Sequence, residues 1–219
     1  MAIREMFESH LEELKSKLTE LGNFCLGALD ESIKALEEQN VERALEIMEE
    51  DRKANVLEEE INDLAILLIA KQQPVATDLR RIITAIKIAS DLERIGDFAV
   101  NISKSTIRIG KQDGLPCMDK IKLMHKKTSE MVLLVLQAYT EEDVVKAKKI
   151  ADLDDEIDDL YGETIRELLA LNVSDPGKTP HIIQLSFISR YLERSADHVT
   201  NIAEHVFYLV KGHRYDLND

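Results

Sequence analysis

Tryptophan is absent from this chain of 219 residues, proline occurs four times and glycine eight. That is too little turn chemistry for a β-sandwich or barrel. Two cysteines, Cys25 and Cys117, give neither metal-type spacing nor a disulfide framework, which fits a reducing compartment. Basic residues are outnumbered, and the formal net charge is −14. So acidic a surface repels the phosphate backbone and anionic lipid, so no direct nucleic-acid partner is expected, and membrane association only through partners. Long hydrophobic runs are missing as well. The longest, Leu64 to Ala70 and Met131 to Leu136, are far too short to span a bilayer. Met1-Ala2-Ile3-Arg4-Glu5 lacks a signal-peptide apolar core, so a soluble, cytoplasmic protein is expected.

What the chain does have is helical periodicity. Phe7, Leu11, Leu14, Leu18, Leu21, Cys25 and Ala28 recur at alternating spacings of four and three, a narrow bundle seam. The pattern predicts a first helix from about Ile3 to Glu38 and a second from Asn40, its N-cap, to Lys71. Gln72-Gln73-Pro74 then breaks the chain, and a third helix follows from Ala76 to Ile109. After a loop over Gly110–Pro116, a fourth helix is expected at Asp119–Tyr139. Thr140-Glu141-Glu142-Asp143 resembles a capping box opening a fifth. A loop is expected over Asn172–Pro180, then a sixth helix ending at Gly212.

The second half repeats the first. IKIASDLERIGDFAVNISK, starting at Ile86, and SFISRYLERSADHVTNIAE, starting at Ser186, share seven of 19 aligned residues, where unrelated segments share about one. The identities include Leu92/Leu192, Glu93/Glu193, Arg94/Arg194, Asp97/Asp197 and Asn101/Asn201. The expected fold is therefore all-α: two tandem, pseudo-symmetric three-helix bundles built from six long antiparallel helices. The repeats are expected at 1–112 and 113–219.

Each third helix carries Glu-x-x-x-Asp, Glu93 and Asp97, then Glu193 and Asp197. Each second helix carries an acid with a polar residue four later, Asp51 with Asn55, then Asp154 with Asp158. Residues four apart share a helix face, where like charges destabilise unless a cation or a basic group stands between them. On an ideal helix Leu79, Ile82, Ile86, Ala89 and Val100 lie within about 40° of Glu93. Ala147, Ile150, Tyr161, Ile165 and Leu168 lie similarly around Asp154, so these acids interrupt apolar stripes. Oxygen-rich clusters of this kind suit iron, manganese, magnesium or zinc. One such pair alone is ordinary decoration of a wet helix; its duplication favours a metal or ionic site. Arg94 and Arg194 are alternative neutralisers. The Glu193 face, with Ser186, Ser189, Thr200 and Glu204, and the Asp51 face, with Glu58 and Asn62, are compatible with plain solvation. His198 points away from the Glu193–Asp197 line, which suits packing or surface exposure. The other histidines form no ligand pattern.

Leu-Glu-Arg-x-x-Asp twice, each followed by Asn-Ile, resembles the PhoU family. So do Gln73-Pro74-Val75-Ala76-x-Asp78-Leu79-Arg80 and the aspartates one helix upstream. The resemblance covers essentially the whole chain. It implies a non-enzymatic negative regulator of phosphate uptake and of the phosphate-starvation response. Its implied partners are the phosphate ABC transporter, especially the ATPase subunit, and a sensor histidine kinase; a homodimer is the implied assembly. Multinuclear iron or zinc clusters are implied too, with magnesium or manganese as alternatives. The implied ligands are Asp51, Glu93 and Asp97, then Asp154, Asp158, Glu193 and Asp197. Asn55 stands in place of an acid, and Asn101 and Asn201 lie one turn beyond the motifs. Two other classes compete: a di-iron carboxylate oxidase, which would need Glu-x-x-His motifs that the chain lacks, and a metal-free helical scaffold.

Overall fold

The computed structural model describes residues 2–217. Helices account for 89% of the chain, and no strand occurs among the described residues. The elements are α1 (Ala2–Glu38), α2 (Val41–Glu50), α3 (Arg52–Gln72), α4 (Ala76–Ile109), α5 (Met118–Glu141), α6 (Val144–Ser174) and α7 (Thr179–Lys211).

The single helix expected from Asn40 to Lys71 is interrupted at Asp51. The backbone stays right-handed there (φ −54°, ψ −32°), but the turn tightens, and Ala54 N–H bonds to Asp51 O at 2.9 Å. Thus α2 and α3 form one interrupted rod, and the six-helix plan stands. Its counterpart α6 runs unbroken through Asp154.

The turn after each first helix is built the same way. Gln39 and Glu142 both adopt left-handed conformations, with φ of 53° and 52°. Asn40 N–H then reaches back to Ala35 O, and Asp143 N–H to Ala138 O, each at 2.8 Å. Asn40 caps α2 by accepting from Arg43 N–H at 2.9 Å, as expected. The expected Thr140 capping box is corrected. Thr140 remains inside α5, its hydroxyl donating to Leu136 O at 2.7 Å. Asp143 is the cap, accepting from Val145 and Lys146 N–H. Asp143→Ala should therefore cost about 1 kcal/mol, read as a drop in melting temperature, whereas Thr140→Ala should cost far less.

The loop expected over Asn172–Pro180 is also shorter than anticipated. α6 continues to Ser174, a 3₁₀ turn covers Pro176–Lys178, and α7 starts at Thr179. The Thr179 hydroxyl ties back to Asn172 Oδ1 at 2.6 Å.

One continuous apolar core runs from Phe7 to Leu209 and draws on both halves of the chain. Its centre is the packing of α4 against α7. Asp91 meets His198 and Phe98 meets Tyr191, so the two helices are antiparallel. A residue n in α4 corresponds to n + 100 in α7, so these two contacts are pseudo-symmetry mates. One has diverged into a carboxylate–imidazole hydrogen bond and the other into a ring stack. The local two-fold consequently passes through the duplicated Leu-Glu-Arg segments.

Candidate metal centre

The acids of each half gather where the second rod of a repeat packs against its third helix. In the second half, Asp154 comes from α6 and Glu193 from α7. They are 7% and 8% exposed, and Asp154 Oδ1 and Glu193 Oε2 have no hydrogen-bond partner. Asp197 is half-buried and Asp158 exposed at the rim. Burial, and then repulsion from Asp158 and Asp197, pushes the Asp154 carboxyl up to about 6, with the Thr200 hydroxyl pulling the other way. Burial and Asp197 push Glu193 up to about 7 despite its ion pair with Arg190. Desolvation and Asp197 also raise Asp158.

The reading of the Glu193 face as wet is overturned. Ser189 and Thr200 are fully buried, because their hydroxyls donate to Leu185 O at 2.9 Å and to Ala196 O at 3.3 Å. A Ser or Thr that satisfies itself on the preceding turn packs as an apolar residue. The stripe around Asp154 behaves as expected, with Ala147, Ile150 and Leu168 buried.

The first half differs in detail. Asp51, Glu93, Asp97 and Asn101 are half-buried, and Asn55 is exposed. Burial, then Asp97, raises both Asp51 and Glu93 above the usual carboxylate range. Arg94 places Nη1 2.9 Å from Asp97 Oδ2 and Nε 3.6 Å from Glu93 Oε2. Of the two motif arginines proposed as internal neutralisers, Arg94 acts as one. Arg194 instead lies over the Phe98 ring, 5.5 Å from its centroid. Glu58, on the Asp51 face, accepts from Asn62 at 2.8 Å. Asn201 is exposed.

Cys25 of α1 lies beneath the first centre. A Cβ on Gly96 would stand 3.3 Å from Cys25 Sγ and 3.9 Å from Asp51 Oδ1, so the missing side chain lets α1 approach the acids. Burial pushes the thiol up to about 12, with Asp51, Glu93 and Asp97 adding to the shift. In the metal-free protein it is a neutral thiol. A cavity of about 280 Å³ between α1, α2 and α4 opens beside Asp51 and is lined by Phe24, Arg43, Ile47 and Val100.

Both centres offer oxygen donors only. The buried carboxylate oxygens left without partners in the second half fit a hard or borderline cation. Among the described residues no three His, Cys, Asp or Glu side chains stand grouped as around a bound ion.

Sequence reasoning missed a second kind of acid. Asp91 Oδ1 lies 2.8 Å from His198 Nδ1, and its Oδ2 lies 3.3 Å from His205 Nε2. Asp30 Oδ1 lies 2.8 Å from His125 Nε2. Each pair joins an aspartate of the first half to a histidine of the second. Burial opposes ionisation of Asp91, but its hydrogen bonds to His198 and His205 hold its carboxyl below the ordinary range. His198 and His205, seven apart on α7, were the available signal.

The family model described as PhoU domain matches residues 18–106 and again 121–206. A Clostridium acetobutylicum protein, the phosphate-specific transport system accessory protein PhoU homolog, is 39% identical over 217 residues, covering 99% of both chains. Escherichia coli phosphate-specific transport system accessory protein PhoU is 30% identical over 210 residues, 96% of this chain and 87% of that one. The crystal structure of PhoU from Pseudomonas aeruginosa superposes with a TM-score of 0.90 at 31% identity, covering 94% of this chain and all of that one.

Proposed function

The chain belongs to the PhoU family, and on that premise we propose that it is a regulatory accessory of phosphate transport which works by protein contact and carries cations in two carboxylate centres. The coarse role in phosphate transport comes with family membership. The finer reading is negative regulation of phosphate uptake and of the starvation response, through the transporter's ATPase subunit and a sensor histidine kinase. It is a regulator, not an enzyme, and acts in the cytoplasm as a homodimer. No described helix is long and apolar enough to cross a membrane, so membrane association would run through those partners. The net charge of −14 argues against repression by direct DNA contact, since binding would have to overcome repulsion rather than gain from counterion release.

The observation that carries the cation reading is the pair of buried, partnerless oxygens on Asp154 and Glu193. Leaving such groups unpaired costs folding energy, and a cation recovers it. Asp154, Asp158, Glu193 and Asp197 would hold one group, and Asp51, Glu93 and Asp97 the other. Iron or zinc fits these donors, as do magnesium and manganese. A bound cation supplies charge neutralisation that fixes the spacing of the rods, and with it the shape offered to partners.

Two experiments test this. Elemental analysis of protein purified without chelator should show metal, reduced by Glu93→Ala with Asp97→Ala and separately by Glu193→Ala with Asp197→Ala. Unchanged stoichiometry in both double variants would remove the acids as ligands. In a deletion strain, phosphate uptake and a starvation reporter should be high even in abundant phosphate. Normal repression there would reject the regulatory reading, and a specific gel shift of starvation promoters by the purified protein alone would reject the protein-contact mechanism.

A further inference from the structure

The two acid centres differ most in what their arginines do. In the first half Arg94 spans both acids of its own motif, Glu93 and Asp97. Its side chain thus stands where a cation would neutralise the pair. In the second half the equivalent Arg194 is turned away onto Phe98. Arg190 pairs with Glu193, but it leaves Oε2 bare, and among the described residues no cation pairs with Asp197.

The cause lies in one diverged position. Phe98 corresponds to His198 across the local two-fold. Phe98 presents a ring face that holds the Arg194 guanidinium. The matching partner for Arg94 would be the His198 imidazole, which Asp91 already engages at 2.8 Å. With that ring already engaged, Arg94 pairs instead with Glu93 beside it and Asp97 one helical turn on.

Resting on the cation-binding reading above, we infer that the centres are unequal, the Asp154–Asp158–Glu193–Asp197 centre binding a divalent cation more tightly, and that Arg94 is a built-in counter-ion a cation must displace from Glu93 and Asp97. Three differences act in the same direction. The second centre has four acids against three, because Asn55 replaces one. Its partnerless oxygens, more than nine-tenths buried, give up no existing bond when a cation arrives. The first centre must first surrender a charge-assisted pair at 2.9 Å. Arg94 is here a positioning residue that sets the order of filling; it is not a ligand.

Manganese(II) alone is the probe, titrated into chelator-stripped full-length protein and followed by the paramagnetic resonance of the free ion. The wild type should show two classes of site. Glu193→Gln with Asp197→Asn should remove the tighter class, and Glu93→Gln with Asp97→Asn the weaker. Arg94→Gln should tighten the weaker class about fivefold, the scale of one partly exposed ion pair. It should leave the tighter class alone, and Arg194→Gln should move neither. Circular dichroism of each variant establishes that it is folded. Equal classes, or an Arg94→Gln protein with an unmoved weaker class, would overturn this inference while leaving cation binding intact. A wild type that binds no manganese(II) would overturn both.

Discussion

Metal-free protein carrying Asp154→Asn and Glu193→Gln should be more stable than the wild type at pH 8, by about 3 kcal/mol or roughly 6–12 °C in melting temperature. Both carboxyls titrate above their ordinary values, at about 6 and about 7, chiefly because burial disfavours the charged form. The fold therefore binds these protons more tightly than the unfolded chain does. The stability they contribute is fully present below about pH 4, where both states are protonated, and is lost as pH rises through the folded values to about 7. Wild-type melting temperature should thus fall between pH 5 and pH 8 in chelator. The amide variants have no charge to bury at these positions and should run nearly flat over that range. Losing the Arg190 contact subtracts at most about 1 kcal/mol, because that arginine is half-exposed. Adding a divalent cation should reverse the ranking, since the wild type gains binding energy at its second centre that the variant has lost, while both keep the first. Calorimetry across pH with and without metal checks this. A wild type flat between pH 5 and 8, or a less stable variant in chelator, would show that the two carboxylates carry no unmet charge.

That vulnerability was half-written in the sequence. Period and duplication set the helices, because Leu14, Leu18, Leu21 and Cys25 repeat at bundle spacing and all are buried, while Leu11 and Ala28 of the same seam are half-buried. The acids around Asp154 were visible because they broke an apolar stripe. The acids at Glu193 and Asp197 were visible by duplication, but the burial of their face was not, because Ser189 and Thr200 look polar on paper and bury themselves by bonding to their own helix. Polarity patterns count side-chain chemistry, whereas burial depends on whether each donor has found an acceptor. The capping reading at Thr140 failed for a related reason. The same hydroxyl can cap a helix or fold back on it, and the left-handed turn at Glu142, three residues before Val145, decided the matter. The Asp91 and Asp30 pairs with histidine needed more than the seven-residue spacing of His198 and His205, because each joins residues about a hundred apart and depends on the two halves meeting.

Separating those halves should have the largest effect of all: residues 1–112 and 113–219, expressed apart, should each lack a cooperative thermal transition, and mixing them should restore one. Although the helices repeat, the core does not divide. A single apolar cluster extends from Phe7 to Leu209 and includes Leu92 and Leu192, both fully buried at the α4–α7 crossing. Cutting between Gln112 and Asp113 uncovers that crossing along most of its length. Exposing a Leu or Ile side chain costs about 1.5–3 kcal/mol, so a few such residues exceed the 5–15 kcal/mol of an ordinary domain. The polar groups add to the loss. Asp91 would part from His198 and His205, Asp30 from His125, and Arg81 from Glu142, which it meets at 2.9 Å. Each break leaves a charge or an imidazole without its partner. The local two-fold makes the outcome specific. Because α4 and α7 are pseudo-equivalent, a lone first half that paired with itself through α4 would set Asp91 against Phe98 where it now faces His198. That mismatch should make the self-paired form weaker than the mixed one. Size-exclusion chromatography and calorimetry of each half, alone and at equal mixture, read this directly. Two halves that melt cooperatively by themselves, with mixing adding nothing, would mean that each repeat is a complete folding unit.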